Sequence, residues 1–178
     1  MILAVVAVIA VAVQAASQAP TVRAATTTQI FMKVVGQKQG VFLGDSMTRA
    51  QAGQIVVGTY DFDVTVPFNA ATGQSSGRHQ YRPITVTKAL NGSSPQFLVA
   101  LATNENLKSV TINFWHVTNQ GRSVNFYRVT LTNAHVTEVH QFPSGGETIE
   151  AVSFTFQKIE QTDLETHTIF TDEFQVVA

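Results

Sequence analysis

The chain has 178 residues, 44% hydrophobic and 13% charged, with a formal net charge of −1. That length supports one domain with its own core and is thin for two. The near-neutral balance and scattered Lys and Arg exclude a polyanion-binding surface, so no nucleic-acid partner is expected.

There is no cysteine, which removes thiol catalysis, disulfides and thiolate metal sites. Residues 1–29 stand apart from the rest. An apolar run of twelve residues, Ile2 to Val13, is short for a membrane-spanning helix and matches the apolar region of a secretory signal. Val13-Gln14-Ala15 and Val22-Arg23-Ala24 both suit a signal-peptidase site, although no Lys or Arg precedes the run. Residues 14–29 read as a linker. The expected organisation is a leader and linker over 1–29 and one domain over 30–178. A leader implies a secreted or extracytoplasmic protein; the alternative for the run is an apolar core segment or a tail packed in an assembly.

Ile30–Val35 is strand-like and ends at Gly36. A loop follows, broken by Val41-Phe42-Leu43. Ile55–Phe68 alternates, predicting a strand with Tyr60, Phe62, Val64 and Val66 on its buried face and Thr59, Asp61, Asp63 and Thr65 on its wet face. Pro67 stops the ladder by removing a donor. Asn69–Gln80 has no large apolar side chain and forms a long excursion between strands, of a length that is usually functional or mobile. Arg82–Leu90 resumes as a strand with Ile84 and Val86 on one face.

Asn91-Gly92 is a turn. Ser94 is placed to N-cap a short helix, with Pro95 at its first position, where a missing N–H costs nothing. Phe97, Leu98, Leu101 and Ala102 form its apolar stripe, and it should end near Asn104. A helix this short needs a sheet to lean on. Strand patterns then return: Val110, Ile112 and Phe114 on one face, a hairpin turn at Asn119-Gln120-Gly121, two strands' worth of alternation from Val124 to Phe142, a turn at Gly145-Gly146, and Val152, Phe154 and Phe156 on one face. Ile169, Phe170 and Phe174 close the chain. The fold class is mainly β: a small antiparallel barrel or closed sandwich of about eight strands with one short α-helix.

Chemistry is sparse. Asp61 and Asp63 share a strand face but have no identifiable partner, which fits a solvated face. His135 and His140 lie five apart, an odd offset that points them to opposite sides of a strand. His79, His116 and His167 join no metal-ligand spacing. No GxSxG elbow, GxGxxG or P-loop occurs. Trp115 and His116, with Tyr60, Tyr81 and Tyr127, are candidates for an aromatic platform, with core packing the more frequent role for such residues. No catalytic residue, cofactor or metal is expected. A secreted β-barrel module that binds carbohydrate or a surface partner through Trp115, His116 and Tyr127 is the alternative reading.

Four stretches together resemble the Hcp family, the tube proteins of bacterial type VI secretion. They are Ile30–Gly40; Ile84–Phe114, with its Thr-Lys pair and Ser-Ser-Pro helix start; Phe126–Phe142; and Glu147–Asp163. The resemblance implies a β-barrel-like fold with one helix, no enzymatic activity, and self-assembly into homohexameric rings that stack into a hollow tube. It also implies a spike protein and effector cargo as partners, and a cytoplasmic location until the tube fires. The Phe68–Arg82 excursion is then the candidate for contacts between subunits or rings, through Phe68, Asn69, Gly73, Ser75, Gly77, Arg78, His79, Tyr81 and Arg82. Family members lack a signal peptide, so the apolar N-terminus is a departure from the pattern.

Overall fold

The computed structural model describes residues 27–174. The apolar run and both candidate cleavage sites lie outside them. Twelve strands and one helix form in chain order: β1 (Gln29–Gly36), β2 (Gly40–Val41), β3 (Ile55–Val57), β4 (Thr59–Asp61), β5 (Val64–Thr65), β6 (Gln80–Tyr81), β7 (Ile84–Ala89), α1 (Ser94–Ala102), β8 (Leu107–Val117), β9 (Ser123–Ser144), β10 (Glu147–Thr155), β11 (Lys158–Asp163) and β12 (Ile169–Glu173). The number exceeds the eight expected because three of the strands have two residues and two have three.

All pairings are antiparallel. One layer runs β2-β1-β8-β9-β11-β12, with β3 also on β1. The other runs β9-β10-β7-β4. Strand β9 belongs to both. The sequence pattern suggested two strands from Val124 to Phe142; the chain instead makes one 22-residue strand. Its first half pairs with β8 and β11, its second with β10. Asn133, at φ 49°, marks the change of layer; Asn tolerates the left-handed region better than most residues.

The layers bury Met32, Val34, Ile112, Leu131 and Ile159 against Ile84, Val86, Val152 and Phe154. Burying each such side chain stabilises the fold by roughly 1.5–3 kcal/mol relative to leaving it in water. The predicted faces of β7, β8 and β10 hold, with Phe156 joining the core cluster. A Cβ at Gly36 would sit 2.6 Å from Glu105 Oε1 and 3.1 Å from the Phe42 ring, so a larger residue there would displace the Glu105 carboxylate. Gly145 and Gly146, at φ 59° and 87°, make the two-residue β9–β10 turn that a primed hairpin geometry requires.

Several expectations are corrected. The Ile55–Phe68 alternation does not make one strand. It breaks into β3, β4 and β5. Tyr60 and Phe62 pack on the core, but Val64 and Val66 are left 42% and 45% exposed because β5 leaves the sandwich. His135 and His140 face the same side, not opposite ones. A bulge in β9, where Val136 and Glu138 pair with the adjacent Phe154 and Ser153, inserts one residue and flips the parity.

The helix is also re-aimed. Ser93, not Ser94, occupies the N-cap, with no side-chain cap bond. Asn91 Oδ1 accepts from both Ser93 N and Ser93 Oγ, an Asx-type turn that sets up the first turn. The Ser94 hydroxyl is drawn inward: it donates to Glu150 Oε1 (2.8 Å) and accepts from Lys88 Nζ (3.1 Å). With that anchor, Ser94, Phe97 and Ala100 face the core, while Leu98 is 46% exposed and Ala102 is exposed too. Phe97 packs edge-on to Phe42 (5.1 Å) and Phe154 (5.9 Å). The helix ends at Ala102, and Asn104 takes φ 48°.

Candidate functional site

The long excursion is an ordered arm. β5 and β6 form a two-stranded sheet that, among the described residues, pairs with no other strand. The chain beyond them continues as a hairpin. Phe68 bridges Ser75. Asn69 N–H donates to Gln74 O (2.8 Å), Gly73 N–H to Asn69 O (2.8 Å), and Ser76 N–H to Pro67 O (2.8 Å). The Asn69 side chain accepts from Ala71 N–H, tightening the tip, and Gly73 supplies φ 70°. Gly77 lies against Pro67. The nine residues singled out from sequence therefore share one arm: Phe68, Asn69, Gly73, Ser75 and Gly77 in its outer part, Arg78, His79, Tyr81 and Arg82 at its root. Val64, Val66 and Phe68 leave apolar surface in the open, Phe68 by 68%.

The root is tied down by side chains. Arg82 pairs with Asp63, N–H to O at 3.0 Å and Nε to Oδ2 at 3.2 Å. Tyr81 lies among Phe62 (6.0 Å), Phe156 (5.3 Å) and Phe174 (5.7 Å). Its hydroxyl donates to Asp172 Oδ2 at 2.8 Å, and His79 Nε2 meets the same oxygen at 2.5 Å. The hydrogen bond from Tyr81 holds the Asp172 carboxyl below the usual range; partial burial opposes this and His79 assists it. Burial, then the bond to Asp172 and its charge, push the Tyr81 phenol up to about 12. Among the described residues no strand pairing joins β6 to β12, and these side chains bridge the two as an aromatic seam.

Two further surfaces were not legible as sites. At one end of the first layer, β12 exposes Ile169 (66%) and Phe170 (50%). At the other end, Val41 and Leu43 stand 55% and 63% exposed. Only the strand order reveals these as edges; in sequence they look like ordinary core positions.

The other candidates disperse. Asp61 and Asp63 line one cavity of about 520 Å³ with Arg82, Thr85, Glu138 and Ser153, where Arg82 satisfies Asp63. Tyr60, Tyr81 and Tyr127 pack against the core, and Tyr127 donates to Gln161 Oε1 (2.6 Å). Trp115 pairs with Asn125 across a bulge and turns to the face opposite Phe114 and Tyr127. His116 lies tilted against Phe126 (5.1 Å) and 3.6 Å from Glu165. No aromatic platform joins Trp115 to Tyr127. Among the described residues, no three His, Asp or Glu side chains converge as metal ligands.

Comparison with known proteins gives a consistent result. The family model described as "Type VI secretion system effector, Hcp" matches residues 31–162. The "Major exported protein" of Pseudomonas aeruginosa is 26% identical over 152 residues, covering 76% of this chain and 88% of that protein. A crystal structure of an Hcp protein superposes with a TM-score of 0.78 at 23% identity, covering 84% of this chain and 99% of that one. The Hcp1 protein of E. coli EAEC 042, as a mutant, gives 0.76 at 22% identity, covering 82% and 97%.

Proposed function

Because the chain belongs to the Hcp family of type VI secretion, we propose that it is a non-enzymatic structural subunit that assembles into homohexameric rings, and that these rings stack into a hollow tube. The observation that carries this reading is the pair of apolar edges. Sheet edges in a monomer are normally blunted by charge, proline or cover. Here Val41 and Leu43 at one edge and Ile169 and Phe170 at the other stay open. The edges differ from each other, so they support head-to-tail contacts, and head-to-tail contacts that close make rings. The arm, with Val64, Val66 and Phe68 exposed, fits contact from one ring to the next.

On this reading the partners are further copies of the chain, a spike protein at the tip and effector cargo inside. The protein ends outside the cell that makes it, in keeping with the name of its Pseudomonas relative and the apolar run at Ile2–Val13. Light scattering on the full chain tests the first step. A species of six times 19.3 kDa, with rings in electron micrographs, is expected. A chain that stays monomeric at high concentration overturns the proposal.

A further inference from the structure

We propose that Asp172 couples the arm to β12, so that a neighbouring subunit that holds β12 in place also holds the arm in position for ring stacking. This deepens the reading above and rests on it. Among the described residues, no backbone hydrogen bond of the β5–β6 sheet reaches β12, and β12 pairs only with β11. The link between them is made by side chains. One carboxylate oxygen of Asp172 serves both His79 and Tyr81, residues 93 and 91 positions away. Phe174, just past β12, packs on Tyr81 and Phe156 and extends the same link.

A strand paired on one side opens locally at lower free energy than the core strands. When β12 opens, the Asp172 partner of His79 and Tyr81 leaves with it, and the arm root keeps only the Arg82–Asp63 contact and its packing on Phe62 and Phe156. A subunit docking on the free edge of β12 holds that strand in place and thereby the arm. Binding that orders one element favours a second contact that needs the same order. Lateral closure of a ring and axial stacking are then positively coupled, and rings form before they stack.

The test compares wild type, Asp172→Asn and Tyr81→Phe as full chains, by amide hydrogen exchange and by sedimentation. In Asp172→Asn the arm amides of Gly73, Ser76 and Arg82 should exchange at least about tenfold faster, as expected for loss of a charged hydrogen-bond partner. Tyr81→Phe should give a smaller rise. Amides of β8 should not change in either, and stacked species should be lost while single rings remain. Unchanged arm exchange in both variants overturns the proposal, as does undiminished stacking with a loosened arm. A wild-type chain that makes no rings overturns the assembly reading instead, and the exchange comparison still decides whether Asp172 holds the arm.

Discussion

Lys88 and Glu150 form an ion pair of 2.7 Å with both side chains fully buried. Lys88 Nζ also donates to Ala89 O and Asn91 Oδ1 (both 2.9 Å) and to Ser94 Oγ (3.1 Å); Glu150 accepts from Ser94 Oγ and from Gln141 Nε2 (3.2 Å). The pair lies on neighbouring strands, since Glu150 is opposite Lys88 across β10 and β7. Through Ser94 it reaches α1. The Thr-Lys pair and Ser-Ser-Pro helix start, seen in sequence as a local phrase, are thus two ends of one buried network.

Breaking one half of this network should be costly. Lys88→Met leaves a buried carboxylate without its cation, and Glu150→Gln leaves a buried ammonium without its anion. Each should lose about 3–5 kcal/mol in urea unfolding, whereas Lys88→Met combined with Glu150→Leu should recover most of that loss, because an apolar pair removes both desolvation costs. Single variants within about 1 kcal/mol of wild type would show that the charges are not what fixes the helix to the sheet.

Glu105 gives a pH-dependent contribution. Its buried carboxylate accepts from Lys38 N–H (2.6 Å), Gln39 N–H (2.9 Å) and Gln39 Nε2 (2.8 Å), closing the β1–β2 turn. Burial opposes the charge, but these bonds outweigh it and the pKa is lowered. The folded state therefore binds this proton less readily than the unfolded chain, whose Glu titrates near 4.3. The stabilisation is complete above that value and is lost as pH falls through the lower folded pKa. Glu105→Gln should be less stable by about 1.5–3 kcal/mol at pH 7. The gap between variant and wild-type melting temperatures should close on acidification. A gap that is constant from pH 7 into the acid range would rule the account out.

How far the sequence was readable follows from which forces are local. Alternation located β1, β7, β8 and β10 because each has one face against the core, and turn chemistry located Gly121 and Gly145-Gly146. It failed at Val64 and Val66, whose pattern is that of a buried strand: Val64 lies in β5, which among the described residues pairs only with β6, and Val66 lies beyond its end. It failed at His135 and His140, because one bulge reverses parity and leaves no mark in composition. The arm was found by length. Asp172, Ile169 and Phe170 were missed as functional candidates because edge position and cross-chain pairing are properties of topology alone.

The re-aimed helix makes a sharp comparison. Phe97 is fully buried between Phe42 and Phe154, while its neighbour Leu98 is about half exposed. Phe97→Ala should cost about 3–5 kcal/mol through lost burial and the cavity it leaves. Leu98→Ala should stay within about 1 kcal/mol, as for other exposed positions. Equal costs in denaturant unfolding would mean that the helix turns its Leu98 face inward, as the sequence pattern alone suggested.

The two apolar edges lead to an assembly prediction that depends on their being different. Ile169→Asp places a charge on the β12 edge, and Val41→Asp places one on the β2 edge. Both side chains are more than half exposed, so each variant should fold with stability near that of wild type and should fail to form rings. A head-to-tail contact uses one edge from each subunit. The Ile169→Asp chain keeps its β2 edge, and the Val41→Asp chain keeps its β12 edge. Mixed in equal amounts, the two should therefore form dimers and stop there, since the dimer's two outer edges are both blocked. Light scattering distinguishes the outcomes. Rings in either variant alone would remove that edge from the interface. Dimers in either variant alone would mean the contact is self-complementary, each edge meeting its own copy, and the ring geometry would have to be abandoned; monomers in the mixture would mean that these two edges do not meet each other.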